Sequence, residues 1–166
     1  MNKVIILFVV LLFLVACSNK QVNNDMPKKI RQPKVAGQFY PSEPGAITEQ
    51  IERYLEQAPE QKVAGQIKAI IVPHAGYDFS GPVAAYGFKQ LAGGKFGTVV
   101  LIGNSHQAYF DGAAIDDNDV WQTPLGQVAV DKELARKLVK DDAAIRFDGS
   151  VHLSDHNLEV ELPFLQ

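Results

Sequence analysis

Ile67-Lys68-Ala69-Ile70-Ile71-Val72-Pro73-His74-Ala75-Gly76-Tyr77 reads as a short apolar strand followed by a loop that carries a histidine. The run is rich in β-branched residues and stops at Pro73, which predicts a buried strand. Thr98-Val99-Val100-Leu101-Ile102-Gly103-Asn104-Ser105-His106 has the same order of apolar strand, turn residue, polar loop and histidine. Between the two, Pro82 suits the first turn of a helix that runs to about Leu91 and is broken at Gly93-Gly94. Strand, loop, helix and strand, with continuous apolar strands, predict an α/β domain with a mixed or parallel open sheet and flanking helices.

Outward from this centre the pattern continues in the same class. Ile47, Ile51, Tyr54 and Leu55 recur at helical spacing, so Ala46 to Gln57 is an amphipathic helix. Val35 to Tyr40 is a short extended stretch ended by Pro41. Gly112 to Ile115 and Gln127 to Val130 are short strands, and Trp121 with Thr123-Pro124-Leu125-Gly126 reads as a turn before the second of them. Asp131 can cap a helix over Lys132 to Lys140, with Leu134, Leu138 and Val139 facing inward. From Leu158 to Leu165 both a strand and a helix fit the apolar spacing, and Pro163 disfavours the interior of either.

The amino-terminal stretch follows a different logic. Lys3 precedes an unbroken apolar run from Val4 to Ala16, which as a helix would be about 20 Å long at 1.5 Å per residue. That is shorter than the roughly 30 Å hydrocarbon core of a bilayer and fits a signal-peptide core instead. The run ends Leu14-Val15-Ala16-Cys17, which looks like a lipobox, so Cys17 is expected to be the lipidated residue; a plain signal peptide ending near a cysteine is the alternative. Residues 1–17 are then a lipoprotein signal, 18–34 a polar tether of Asn, Gln, Lys and Pro, and 35–166 the domain. The expected location is exported and lipid-anchored, facing the periplasm or exterior. Ser18, rather than Asp, after the cysteine resembles lipoproteins sent to an outer membrane.

Composition excludes several functions. Sixteen Lys and Arg against nineteen Asp and Glu give a net charge of −3, with no basic stripe, which leaves no basis for nucleic-acid binding. The single cysteine excludes an internal disulfide, a cysteine-only zinc site and an iron–sulfur cluster.

The chemistry rests on histidines. His74 and His106 each lie in a glycine-containing loop just past a predicted strand, and ligands of open parallel sheets bind at the carboxyl ends of strands. If the strands are neighbours, both imidazoles reach one rim, and neutral imidazole is a common ligand for zinc, iron and copper. Two hydrogen-bonded loop histidines are the alternative. His152 and His156 are spaced to share a helix face, where they could be a metal pair; the stronger reading is a capping or loop pair beside Asp155, which is placed to cap the following turn. Tyr77, Tyr109 and Phe110 could wall the site or pack elsewhere.

Val35-Ala36-Gly37-Gln38-Phe39-Tyr40-Pro41, Pro73-His74-Ala75-Gly76-Tyr77 with Ser80-Gly81, Ser105-His106, Thr123-Pro124-Leu125-Gly126 and Asp155-His156-Asn157-Leu158-Glu159-Val160-Glu161-Leu162-Pro163-Phe164 resemble, in order, the motifs of the Memo family. In bacteria this family is called component B of the AmmeMemoRadiSam system. The resemblance covers about Val35 to Gln166 and implies a fold like the catalytic subunit of class III extradiol dioxygenases, which use non-haem iron. It implies His74 and His106 as the first two metal ligands, with a divalent transition metal (iron, copper or zinc) as cofactor. Asp155 stands where many relatives have Glu. The family's third ligand, a cysteine in well-studied members, lies beyond Gln166, so the domain is expected to be incomplete at its carboxyl end. Family association implies radical S-adenosylmethionine and AMMECR-like proteins as partners, beside the membrane itself.

Two kinds of function compete on these grounds. One is a metal-binding enzyme with redox or dioxygenase-like chemistry, in which His156 is the candidate acid/base residue. The other is a non-catalytic module that binds a ligand or protein in the same cleft. An inactive truncated product is a third expectation. The substrate is not legible.

Overall fold

The structure, a computed structural model, describes residues 28–166. The expected signal segment, Cys17 and the start of the expected tether lie outside those residues. The core forms on helix α1, Pro44–Gln57, which opens with Pro44 in the first turn, where no helical acceptor awaits an N–H. Its Ile47, Ile51 and Tyr54 are buried, as their spacing predicts. Helix α2, Tyr77–Lys89, packs on this face through Tyr77, Gly81, Ala84, Ala85 and Phe88. Small residues let the two helices approach closely, and a Cβ at Gly81 would run into the Tyr54 ring. Val35, Tyr40, Ala58 and Val160 complete the cluster.

Helix α2 begins earlier than its sequence suggests, and Pro82 lies inside it rather than at its start. The turn before Pro82 is held by the Ser80 hydroxyl, which donates to the Ala75 carbonyl at 2.8 Å. The N–H that proline lacks would have met the carbonyl of Asp78, an exposed residue.

Two small sheets flank the helices. In the first, β1 (Ile30–Arg31) pairs in parallel with β3 (Val120–Thr123), which pairs antiparallel with β4 (Gly126–Ala129). In the second, β2 (Ala113–Ile115) pairs in parallel with β5 (Ile145–Phe147). The chain between β2 and β5 includes helix α3, Lys132–Asp141, whose first turn is capped by Asp131 accepting from the Leu134 N–H at 2.9 Å. Ala135 is its buried residue, while Leu134, Leu138 and Val139 are half-buried. The carboxyl end is helical: 3-10 turns at Gly149–His152 and Glu159–Glu161, then α4, Leu162–Leu165, with Pro163 in its first turn.

The α/β class and the mixed, partly parallel sheets are those the sequence predicts, but other segments carry them. Neither Ile67–Val72 nor Thr98–Ile102 forms a strand. Ile71 is 101% exposed and Ile102 91% exposed, while Ile70 and Val72 lie against α2 at Gly87. A β-branched run becomes a strand only where another strand offers its N–H and C=O groups, and among the described residues none does so here. Val35–Tyr40 is a tight turn rather than an extended stretch, with Gly37 at φ +79° and its N–H donating to the Tyr40 carbonyl. Val120–Thr123, read as part of a turn, is the first arm of a hairpin.

The ordered domain also begins before Val35. Lys29 donates its backbone N–H to Asp119, and Arg31 is buried against Glu159. The polar composition of this stretch suggests a tether; its partners are about ninety residues or more away in sequence and invisible to composition.

Candidate functional site

Three of the four histidines meet on one rim. His74 follows Pro73 and is fixed by the start of α2, where the Tyr77 N–H donates to the Phe39 carbonyl at 2.7 Å. His106 is held on the facing loop by Asp155, which accepts from the His106 backbone N–H at 2.7 Å through one oxygen and lies 3.1 Å from the ring Nδ1 through the other. Ser105 shapes that loop by accepting the N–H groups of Gln107 and Ala108. The Asn157 amide donates to the Asn104 carbonyl, which ties the loop to the segment bearing His156. The Nε2 atoms of His74 and His106 are then 3.4 Å apart. His156 stacks on His106 with ring centroids 4.7 Å apart and nearly parallel planes, and on its other side meets Phe39 at 4.6 Å.

Asp155 sets the electrostatics. Burial opposes its ionisation, yet the N–H groups of His106 and Asn157 and the His106 ring outweigh it and hold the carboxyl below its usual range. An ionised carboxylate only accepts hydrogen bonds, so Nδ1 of His106 donates to it, and Nε2 is the ring nitrogen that faces His74. Burial lowers the affinity of His156 for a proton, and the neighbouring His106 and His74 act in the same direction. The cluster lies beside an open cavity of about 680 Å³ lined by Phe39, Val72, Phe79 and the three imidazoles.

The other sequence candidates fall elsewhere. His152 donates from Nε2 to the Ala114 carbonyl, 3.1 Å away, and sits edge-on to Trp121. Asp155 does cap the turn that follows, accepting the Asn157 N–H at 3.1 Å. Tyr77 does not wall the site: it is a core residue whose hydroxyl donates to the Val160 carbonyl. Tyr109 is fully exposed, and Phe110 lies under Arg146. Phe39 and Phe79 take the walling role instead. Phe39 lies within a quoted motif, but nothing in its spacing ties it to a histidine distant in sequence.

Two donor sets share His106. One is the His74–His106 pair; the other is His106, Asp155 and His156, whose ligand atoms lie within 4.8 Å of one another. Both Asp155 oxygens already accept from N–H donors, and the carboxylate orients the His106 ring.

A histidine cluster on the rim of an α/β domain, with a carboxylate behind one imidazole, defines the class: a candidate metal-site protein of mixed α/β architecture. Residues 31–166 match the family model described as Memo-like protein, and the chain belongs to the Memo family. It is similar to a MEMO1 family protein of Methanothermobacter thermautotrophicus, 40% identical over 144 residues, covering 82% of this chain and 52% of that protein. A MEMO1 family protein of Thermotoga neapolitana is 40% identical over 147 residues, covering 82% and 53%. One from Sulfurisphaera tokodaii is 38% identical over 147 residues, covering 82% and 52%. The chain thus spans about half the length of the relatives it matches.

Proposed function

We propose that His74 and His106 are two ligands of a divalent transition metal, with His156 beside them, in a Memo-like exported lipoprotein. The observation that carries this reading is the 3.4 Å separation of the two Nε2 atoms, with Asp155 behind Nδ1 of one ring. Two imidazole nitrogens, each about 2.0–2.1 Å from one tetrahedral ion, are themselves about 3.3 Å apart. The donor set therefore fits an ion of the zinc, copper or iron type, for which imidazole is a suitable ligand.

When bound, such an ion supplies Lewis acidity or redox chemistry at its open coordination positions. The chain's own residues do the remainder. Asp155 fixes the orientation of the His106 ring. His156, kept neutral at pH 7, can accept a proton from a group held in the cavity. Phe39, Val72 and Phe79 offer apolar surface to the same group. The dioxygenase-like reading of this chemistry rests on the family resemblance and on this donor set together. Export rests on Lys3, the apolar run and the Leu14–Cys17 lipobox.

Imidazole resonances followed by NMR while Zn²⁺ is added to the full chain test the site. His74 and His106 should shift or broaden first and His152 should not move. Equal response of all four histidines, or none, contradicts the reading.

A further inference from the structure

The histidine site is held from behind by a buried ion pair. Arg31, the second residue of β1, sends its guanidinium into the interior, where the side chains of Arg31 and Glu159 are 2% and 0% exposed. Its three nitrogens go to three different partners. Nη1 donates to the Glu159 carboxylate at 2.7 Å, Nε to the His152 carbonyl at 2.9 Å and Nη2 to the Asp155 carbonyl at 2.6 Å. The guanidinium plane lies over the Trp121 ring, 4.0 Å from its centroid. Glu159 in turn accepts from the Lys34 and Val35 N–H groups and from the Tyr40 hydroxyl. Arg31 and Glu159 are therefore each fixed by more than one neighbour.

The two carbonyls matter most. They belong to the residues that open and close the segment 152–155, and the second is Asp155, whose carboxylate grips His106. The guanidinium makes these bonds from three separate nitrogens held in one plane, whereas an ammonium carries all its donors on a single atom.

We propose that Arg31 is a positioning residue for the metal site: by holding the Asp155 backbone it keeps the Asp155 carboxylate on Nδ1 of His106 and so fixes the ring whose Nε2 faces His74. The effect on metal binding rests on the reading of His74 and His106 as ligands; the effect on the His106 tautomer does not. Arg31 touches no ring of the site and acts through Asp155 alone.

The test is made on the full chain, metal-free and then with Zn²⁺. Long-range ¹H–¹⁵N correlations report which His106 nitrogen is protonated. Wild type should show one tautomer, with the proton on Nδ1. Arg31→Lys keeps the charge against Glu159 but loses the fork, and should give a mixture of tautomers and a Zn²⁺ affinity lower by about 10- to 100-fold. Trp121→Phe keeps an aromatic face under the guanidinium and should give a smaller change of the same kind. Ile47→Val, in the core on α1, serves as the comparison for lost stability and should leave the tautomer untouched. An unchanged His106 tautomer in whichever of Arg31→Lys and Trp121→Phe folds overturns the proposal. A shifted tautomer in a protein that takes up no Zn²⁺ supports the positioning role and overturns the metal reading alone.

Discussion

At the scale of single residues, Asp155 and Glu161 show how burial can be turned to opposite ends. Asp155 is buried but has donors on both oxygens, so it stays ionised and orients His106. Asp155→Asn should lower metal affinity by about 10- to 100-fold, because an amide can donate to Nδ1 and reverse the tautomer. His152→Ala should leave affinity unchanged, since its ring faces Ala114 and Trp121; competition with a chelator of known affinity measures both. Glu161 is buried with nothing to offset the loss of water, and its carboxyl is pushed from 4.5 up to about 7. The folded chain then binds a proton more tightly than the unfolded one. The resulting stability is fully present below pH 4.5 and is lost as the pH rises through about 7. The loss amounts to about 2–3 kcal/mol at most, after allowing for partial solvent access. Denaturant unfolding at pH 5 and pH 8 should show that difference in the wild type and a smaller one in Glu161→Gln.

At the scale of elements, what the sequence reveals divides along the range of the interactions. Helices α1 and α3 are legible because their signals are local: a proline in the first turn, a capping Asp131, apolar residues one turn apart. His74 and His106 are legible as loop residues for the same reason. Strands are not, because a ladder needs a partner that periodicity does not name. Ile67–Val72 has the composition of a central strand and pairs with nothing described, whereas Ile30–Arg31 has no strand signal and pairs with Val120–Trp121. Arg31 was hidden by the polar stretch around it, and Phe79 by lying on the exposed side of α2. The contact between α1 and α2 offers a direct check. Gly81→Ala places a methyl group against the Tyr54 ring, and should cost about 1–3 kcal/mol in denaturant unfolding. A stabilised Gly81→Ala variant would mean the helices sit farther apart than described.

At the scale of the whole molecule, the chain combines a closed core with a broad apolar exterior. Ile71, Ile102, Val100 and Phe79 all stand in solvent among the described residues, and exposed large apolar side chains favour association. The full chain should therefore associate as its concentration rises, seen by light scattering. Ile71→Thr with Ile102→Thr should reduce that association while changing unfolding free energy by no more than about 0.5 kcal/mol, because neither side chain is packed. The amino-terminal motif makes a separate prediction in cells: Cys17→Ser should block lipidation and leave an unprocessed precursor, and normal membrane retention with unchanged cleavage would contradict the lipobox.

The central claim is that the imidazoles of His74 and His106 hold a metal. The most direct test is metal stoichiometry on purified full chain, wild type beside His74→Ala and His106→Ala, after equilibration with iron(II), copper(II) or zinc. Up to one ion per wild-type chain is expected, bound weakly with these two residues as its protein ligands, and most of it should be lost in either variant. Equal metal content in all three proteins would contradict it.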